Sequence, residues 1–421
     1  MLIQFTVGNF LSFYKKRTLN LEATSISELK ENIIINNKSK LLPSIVIYGA
    51  NSSGKSNLLK ALQTMRSVVL SSVRLNKSDE LTYTPFSYLD VSEQEPTFFE
   101  IIFWCNKNKY RYGFEYNQTK IINEWLFTGK TAKIETALFI RTEDGIGVTD
   151  KFKEGAAKES ATNDNRLFIS LVAQLGGTIS NSIIDFFSNY NILSGLEHND
   201  YTGYTTRMLQ KKLNGFDKSL LLYQNLKLGF KDIEAVESNL NAFELHDEMP
   251  EELKRTIIRE LTDKKQIRLK TIHNKFDKQG NKIGVVMMDK SQSESEGTNK
   301  IIDLSGPIFD TLNKGKILII DELDAKLHPL ITIHIIDLFN KRETNPNNAQ
   351  LIFATHDTNL LNAELFRRDQ IWFTEKDEFE QTDLYSLHDF NLPDGSKVRN
   401  DSNIEKNYIR GRYGAIPFIT N

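Results

Sequence analysis

Cysteine is almost absent from this 421-residue chain. Cys105 stands alone, which excludes an intramolecular disulfide and leaves no basis for a cysteine-ligated metal site. So thiol-poor a chain fits a reducing compartment, and the cytoplasm is the expected location. Net charge is nearly absent too: 53 Lys and Arg face 55 Asp and Glu, a formal −2. That argues against a chain-wide basic surface for nucleic acid, while leaving room for a local patch. Long apolar runs are missing, none approaching the ~20 residues of a membrane span, so no membrane partner is expected. The start, Met1–Val7, alternates like a strand and lacks the basic start and apolar run of a signal peptide. Sustained heptads are lacking as well, which excludes a long coiled coil.

What is present is an ordinary globular composition, 39% hydrophobic and 26% charged. Its most informative stretch is Gly49-Ala50-Asn51-Ser52-Ser53-Gly54-Lys55-Ser56. An apolar run, Ser44–Tyr48, precedes it and an apolar-periodic segment, Asn57–Val69, follows. Strand, glycine-bounded loop and helix are the context that a phosphate-binding G-x-x-x-x-G-K-[ST] loop needs. Gly49 and Gly54 permit the tight turn that points successive N–H groups inward, and the helix brings the positive end of its dipole to the same place. Lys55 adds a charge for the outer phosphates, and the Ser56 hydroxyl suits Mg²⁺.

A second run, Ile317-Leu318-Ile319-Ile320, reads as a strand buried on both faces, and it ends on Asp321-Glu322. Successive strand residues point to opposite faces, so the two carboxylates diverge at the carboxyl end, where open α/β sheets bind ligands. Asp321 suits the Mg²⁺ shell, and Glu322 suits a general base that deprotonates an attacking water. A third run, Gln350–Thr355, ends at His356, where a γ-phosphate sensor would sit.

Around these lie strands at Leu2–Val7 and Arg17–Glu22, then strand-like, aromatic-rich runs between 82 and 140 whose rings are expected to fill a sheet core. From about 155 to 268 the pattern turns helical, over Leu167–Ala173, Ile183–Leu193, Leu220–Leu228 and Pro250–Leu261. A basic cluster, Arg255, Arg259, Lys264, Lys265, Arg268 and Lys270, reads as a solvated face. Lys270–Phe276 and Lys282–Asp289 make a hairpin. Ser293–Thr298 then reads as a polar loop capping a helix over Ile301–Leu312.

Taken in order, Asn9–Phe13, Gly49–Ser56, Ser295–Thr298, Ile317–Glu322 and Thr355–His356 resemble the ATPase heads of the ABC superfamily, in the branch that holds the SMC proteins. The chain is more closely similar to the RloA/AbiL-type ATPases of bacterial phage-defence loci, and more distantly to the PARIS ATPase subunit and the ATPase half of OLD proteins. This resemblance implies an α/β, ABC-type P-loop head of mixed and parallel sheet with an antiparallel N-terminal lobe. It implies a lobe with the phosphate loop at 1–150, a helical insertion at 151–284, and a lobe with the remaining motifs at 285–421. Asn51, Ser52, Ser53 and Asn57 join the phosphate loop's nucleotide contacts. Ser295 and Gly297 take the signature role, reaching ATP bound by a second copy, with Asp324 and the residues after it in the loop that crosses between copies. His356 takes the switch position, with Lys55 and Glu322 completing the catalytic set.

ATP and Mg²⁺ are the implied cofactors, and a homodimer or higher oligomer that sandwiches ATP is the implied assembly. Relatives carry Arg or Lys where Leu11 stands, a contact that Lys15, Lys16 or Arg17 would supply here. The Asp-x-Asp set of a Toprim nuclease is missing after His356, so a toxic effector, nuclease or other, is expected on a separate polypeptide. DNA or a phage component is the open choice of trigger. Two other readings stand beside defence: an SMC-like, DNA-associated ATPase in repair, and a nucleotide-gated scaffold with slow hydrolysis.

Overall fold

Runs of apolar residues with no polar alternation are covered on both faces, and three of them build the sheet that carries the phosphate loop. The structure, a computed structural model, describes residues 1–36, 39–131, 134–197, 199–238, 266–392, 394–399 and 402–417. With strands numbered along the chain, this sheet runs β11 (Tyr190–Ser194), β15 (Ile317–Asp321), β16 (Gln350–Ala354), β5 (Ser44–Tyr48), β17 (Ile371–Lys376), β18 (Thr382–Ser386). All neighbours are parallel except β17 and β18. Ile319 pairs with Ile352, and Phe353 with Val46, so the carboxyl ends of β15, β16 and β5 lie side by side.

A second sheet is antiparallel: β10 (Gly145–Val148), β9 (Ile134–Thr142), β8 (Ile121–Thr131), β7 (Asn108–Tyr116), β6 (Thr97–Cys105), β1 (Leu2–Gly8), β2 (Arg17–Asn20). A small pair, β3 (Ile34–Asn36) and β4 (Ser39–Leu41), stands beside these. The helix Lys55–Ser71 shares one core with both large sheets. Leu58, Leu62 and Met65 meet Phe5 and Phe99 of the antiparallel sheet and Ile45, Ile319 and Ile352 of the parallel one. The aromatics do fill this core: Phe99, Tyr112, Phe114 and Tyr116 are all fully buried.

The chain divides into two compact units: Met1–Leu196 with Lys314–Ala325 and Thr332–Asn421, and Glu197–Asn313 with Lys326–Ile331. These differ from the division at 150 and 284. The helices Phe168–Gln174 and Thr178–Ser188 stay with the first unit because their rings join its core, Phe186 stacking on Phe103 at 4.0 Å and Phe168 meeting Phe139 at 5.0 Å. The helix expected over Ile183–Leu193 ends at Ser188. The remainder, Tyr190–Ser194, is drawn into the sheet as β11, where it pairs in parallel with β15.

In the second unit, the helices Asn199–Gln210 and Phe216–Asn225 accompany a three-stranded sheet, β12 (Asp232–Ser238), β13 (Gln266–Phe276), β14 (Lys282–Asp289), so this stretch is mixed and not purely helical. The helix Glu296–Lys314 contains Pro307, which has no N–H to offer the carbonyl of Asp303 one turn earlier. Thr205 Oγ1 supplies the missing donor at 2.5 Å. The helix expected at Pro250–Leu261 and the basic residues Arg255, Arg259, Lys264 and Lys265 lie outside the described residues. Of that cluster Arg268 and Lys270 are on β13, and Arg268 Nη1 lies 3.7 Å from the Asp289 carboxylate on β14. Among the described residues no helix is long and apolar enough to cross a membrane.

Candidate functional site

The phosphate loop turns directly from β5 into the helix Lys55–Ser71, which starts without a side-chain cap, so its first N–H groups face the loop's concavity. Gly54 sits at φ +113°, where a side chain is strained, and a Cβ there would lie 2.3 Å from Thr382 Oγ1. Lys55 is 5% exposed, and its Nζ donates to the carbonyls of Gly49 (2.8 Å) and Ala50 (3.1 Å), spanning the loop. Burial lowers its pKa to about 8, against the raising effect of the Asp321, Glu322 and Asp324 carboxylates.

Not every loop residue is open to a ligand. Asn51 and Ser52 are exposed, whereas Ser53 is buried and its hydroxyl pairs with Thr374 Oγ1 at 2.7 Å. Asn57 Nδ2 donates to Ser12 Oγ at 2.8 Å. Thr382 completes the circuit: its hydroxyl lies 2.7 Å from Ser12 Oγ and 3.0 Å from the Ser53 carbonyl, and its N–H donates to the Ser12 carbonyl at 2.7 Å. The Asn9–Phe13 stretch therefore braces the phosphate loop from outside. It is itself rigid, because buried Asn9 donates to the carbonyls of Ser92 (2.8 Å) and Glu95 (2.6 Å) and accepts from Phe86 N–H (3.1 Å). Lys16 and Arg17 are engaged elsewhere, with Glu115 at 3.3 Å and Asp383 at 2.5 Å.

A cleft of about 370 Å³ is lined by Asn51 to Asn57, Glu322 and His356. β15 ends at Asp321 and leads into Glu322, β16 leads to His356, and Asp321 sits behind the cleft lining, close enough for its charge to act on Lys55. Asp321 Oδ1 and Asp324 Oδ1 are buried with no hydrogen-bond partner. A buried carboxylate oxygen left so is costly unless a cation meets it, which is what a Mg²⁺ shell built on Asp321 and Ser56 would do. Glu322 adopts a left-handed backbone at φ +55°, uncommon for a residue with a side chain. His356 is exposed, and its pKa lies below the ordinary value, through partial desolvation first and then the charge of Lys55, with the Glu322, Asp324 and Asp321 carboxylates opposing. The imidazole is thus held toward its neutral form.

Ser295 and Gly297 lie in the second compact unit. Ser295 Oγ caps the helix Glu296–Lys314 by accepting from Thr298 N–H at 3.2 Å. Gly297 has a packing reason of its own, since a Cβ there would be 2.6 Å from the Lys326 carbonyl. Lys326 Nζ also pairs with the Glu296 carboxylate at 3.2 Å. Just before the motif, Glu294 accepts from Thr271 Oγ1 at 2.6 Å and meets His273 Nε2 at 2.9 Å, tying the motif's entrance to β13.

Sequence reasoning missed Thr374, Thr382 and the bracing role of Ser12. Their only signal is spatial, across more than 320 residues of chain.

A family model described as "AAA domain, putative AbiEii toxin, Type IV TA system" matches residues 44–362, from the first residue of β5 to beyond the His356 turn. No curated protein matches the chain. Among solved structures it is similar to an SMC head bound to the C-winged helix domain of ScpA, at 14% identity and a TM-score of 0.44, covering 91% of this chain and 97% of that one. It is also similar to the SMC head domain from Thermotoga maritima, at 13% identity and a TM-score of 0.41, covering 91% and 98%.

Proposed function

The chain belongs to the AAA domain family described as putative AbiEii toxin, type IV TA system, and on that premise we propose that it binds ATP with Mg²⁺ and hydrolyses it. One observation carries the reading. The phosphate loop, Glu322 just after β15 and His356 just after β16 line one cleft at the ends of adjacent parallel strands, with the Asp321 charge acting on Lys55 from behind. ATP's outer phosphates take the loop amides and the helix N-terminus, while Lys55 exchanges the Gly49 and Ala50 carbonyls for phosphate oxygens. Ser56 and Asp321 would hold Mg²⁺, which would supply positive charge to the phosphates. Glu322 accepts the proton of the attacking water, and His356 donates a hydrogen bond toward the γ-phosphate.

The site is then completed by Ser295 and Gly297 of a second copy, whose helix N-terminus supplies the same anion-binding physics. On this reading assembly and hydrolysis are one event. The family's description names a putative toxin of a type IV toxin–antitoxin system, and we extend the reading to phage defence, with ATP turnover controlling a toxic effector carried on another polypeptide and DNA or a phage component as the trigger.

The test is Glu322→Gln. ATP binding should persist, phosphate release should fall about 10²- to 10⁴-fold as expected for loss of a general base, and sedimentation with ATP should shift to a larger species. Wild-type turnover in this variant would remove Glu322 from the mechanism.

A further inference from the structure

The turn that aims Glu322 is held from the side by the tip of β11. Ser194, the last residue of β11, is in register with Asp321, and the next residue, Gly195, donates its N–H to the Asp321 carbonyl at 2.6 Å. Gly195 is buried. A Cβ built on it would lie 1.9 Å from the Glu322 carbonyl oxygen, 2.6 Å from the Glu322 carbonyl carbon and 2.7 Å from the Asp321 carbonyl oxygen. All three are backbone atoms, which cannot swing aside as a side-chain terminus does.

Gly195 is not among the residues at positive φ. Its lack of a side chain therefore serves the approach to Glu322 and not its own conformation. Glu322, by contrast, holds the left-handed backbone at φ +55°, a conformation that persists in a side-chain-bearing residue only where its surroundings impose it. Leu323 N–H donates to the Ala354 carbonyl of β16 at 3.2 Å, so the turn is held on its other flank as well.

We propose that Gly195 is the positioning residue of the Glu322 carboxylate: its bare Cα lets the end of β11 press the Asp321–Glu322 peptide into the turn that points Glu322 at the γ-phosphate side of the cleft. This rests on Glu322 being the base. Gly195 touches no substrate; it acts only through the backbone of Asp321 and Glu322. A methyl group at 195 must push the Glu322 carbonyl outward by more than 1 Å to reach ordinary contact. Displacement of a catalytic group by that amount costs about 10²-fold in turnover. The phosphate loop follows β5, two strands away from β15, so nucleotide affinity measured without Mg²⁺, which does not call on Asp321, is not part of the cost.

The experiment measures ATP Kd by equilibrium titration in EDTA and kcat by phosphate release with Mg²⁺ for wild type, Gly195→Ala and Glu322→Gln. The expected result is a Gly195→Ala protein with wild-type Kd and kcat about 10²-fold lower, a split that general destabilisation would not give. Should Gly195→Ala fail to fold, Ser194→Ala decides. Ser194 Oγ accepts from Leu196 N–H at 3.2 Å and stiffens the same corner, so its loss should lower kcat and leave Kd alone. If Glu322→Gln abolishes turnover while a folded Gly195→Ala, or in its absence Ser194→Ala, keeps wild-type kcat, the positioning role is overturned and the base stands. If Glu322→Gln itself keeps turnover, the reading beneath falls, and this proposal falls with it.

Discussion

Thr382→Val isolates the brace behind the phosphate loop. The substitution is nearly isosteric, keeps a β-branched residue at the start of β18, and leaves the backbone N–H bond to Ser12 intact. It removes one buried hydroxyl, and with it the contacts to Ser12 Oγ at 2.7 Å and to the Ser53 carbonyl at 3.0 Å. Each hydrogen bond is worth about 1 kcal/mol net, and a buried carbonyl left unpaired costs about 1–3 kcal/mol. The total is about 2–4 kcal/mol, taken from a loop that must be ordered to present its amides. If about half falls on ordering the loop around ATP, affinity drops roughly 5- to 30-fold, at tenfold per 1.4 kcal/mol. The rest lowers the midpoint of urea unfolding. Isothermal titration with ATP reads the first part and chemical denaturation the second. A variant with unchanged midpoint and a Kd within twofold of wild type would refute the claim that the hydroxyl braces the loop.

ATP affinity should also depend on pH through Lys55, whose pKa is lowered to about 8. Below that value the amine is charged and attracts phosphate; above it, binding must first take up a proton, so Kd should rise by up to tenfold per pH unit from about 8 upward. Titrations between pH 7 and 9.5 check this, and a flat profile would count against Lys55 as the phosphate-facing cation. Lys55→Ala should bind ATP weakly at every pH. Ser295→Arg should leave ATP binding to a single chain intact but stop hydrolysis. Mixing it with Lys55→Ala should restore part of the turnover at the one complete composite site, and a mixture without activity would argue that Ser295 does not act across subunits.

Much of the site was legible because each part is local. Ser44–Tyr48, Ile317–Ile320 and Gln350–Thr355 are apolar runs, and each ends abruptly on the glycine, carboxylate or histidine to which the proposed chemistry is assigned. The hidden parts are those that local pattern does not encode. Ile183 to Leu193 carries apolar residues at Ile183, Ile184, Phe186, Phe187, Tyr190, Ile192 and Leu193, which a single helix accommodates, and no Gly or Pro marks the change from helix to strand at Asn189. That boundary is set by the open edge of β15, which offers Tyr190–Ser194 a partner. Thr374 and Thr382 look like ordinary strand residues until the fold sets them beneath Ser53 and Gly54. Asn57, read as a nucleotide contact, turns its amide to Ser12 because the Asn9–Phe13 stretch is fixed by bonds to residues 84–97.

The pairing of β5 with β17, and of Ser53 with Thr374 across 321 positions, bears on how the chain emerges from a ribosome. At about 5–20 residues per second, the phosphate loop is synthesised some 15–65 seconds before the strand that closes its outer flank. For most of that interval, until β16 is made, Ile45-Val46-Ile47 is an unpaired apolar strand, a template for wrong partners. A nascent chain stalled before β17 would carry every residue of the phosphate loop but not its Thr374 and Thr382 supports. Nucleotide could then engage firmly only once synthesis has passed residue 382, which makes ATP a late ligand of folding and a reporter of chains that have reached that point.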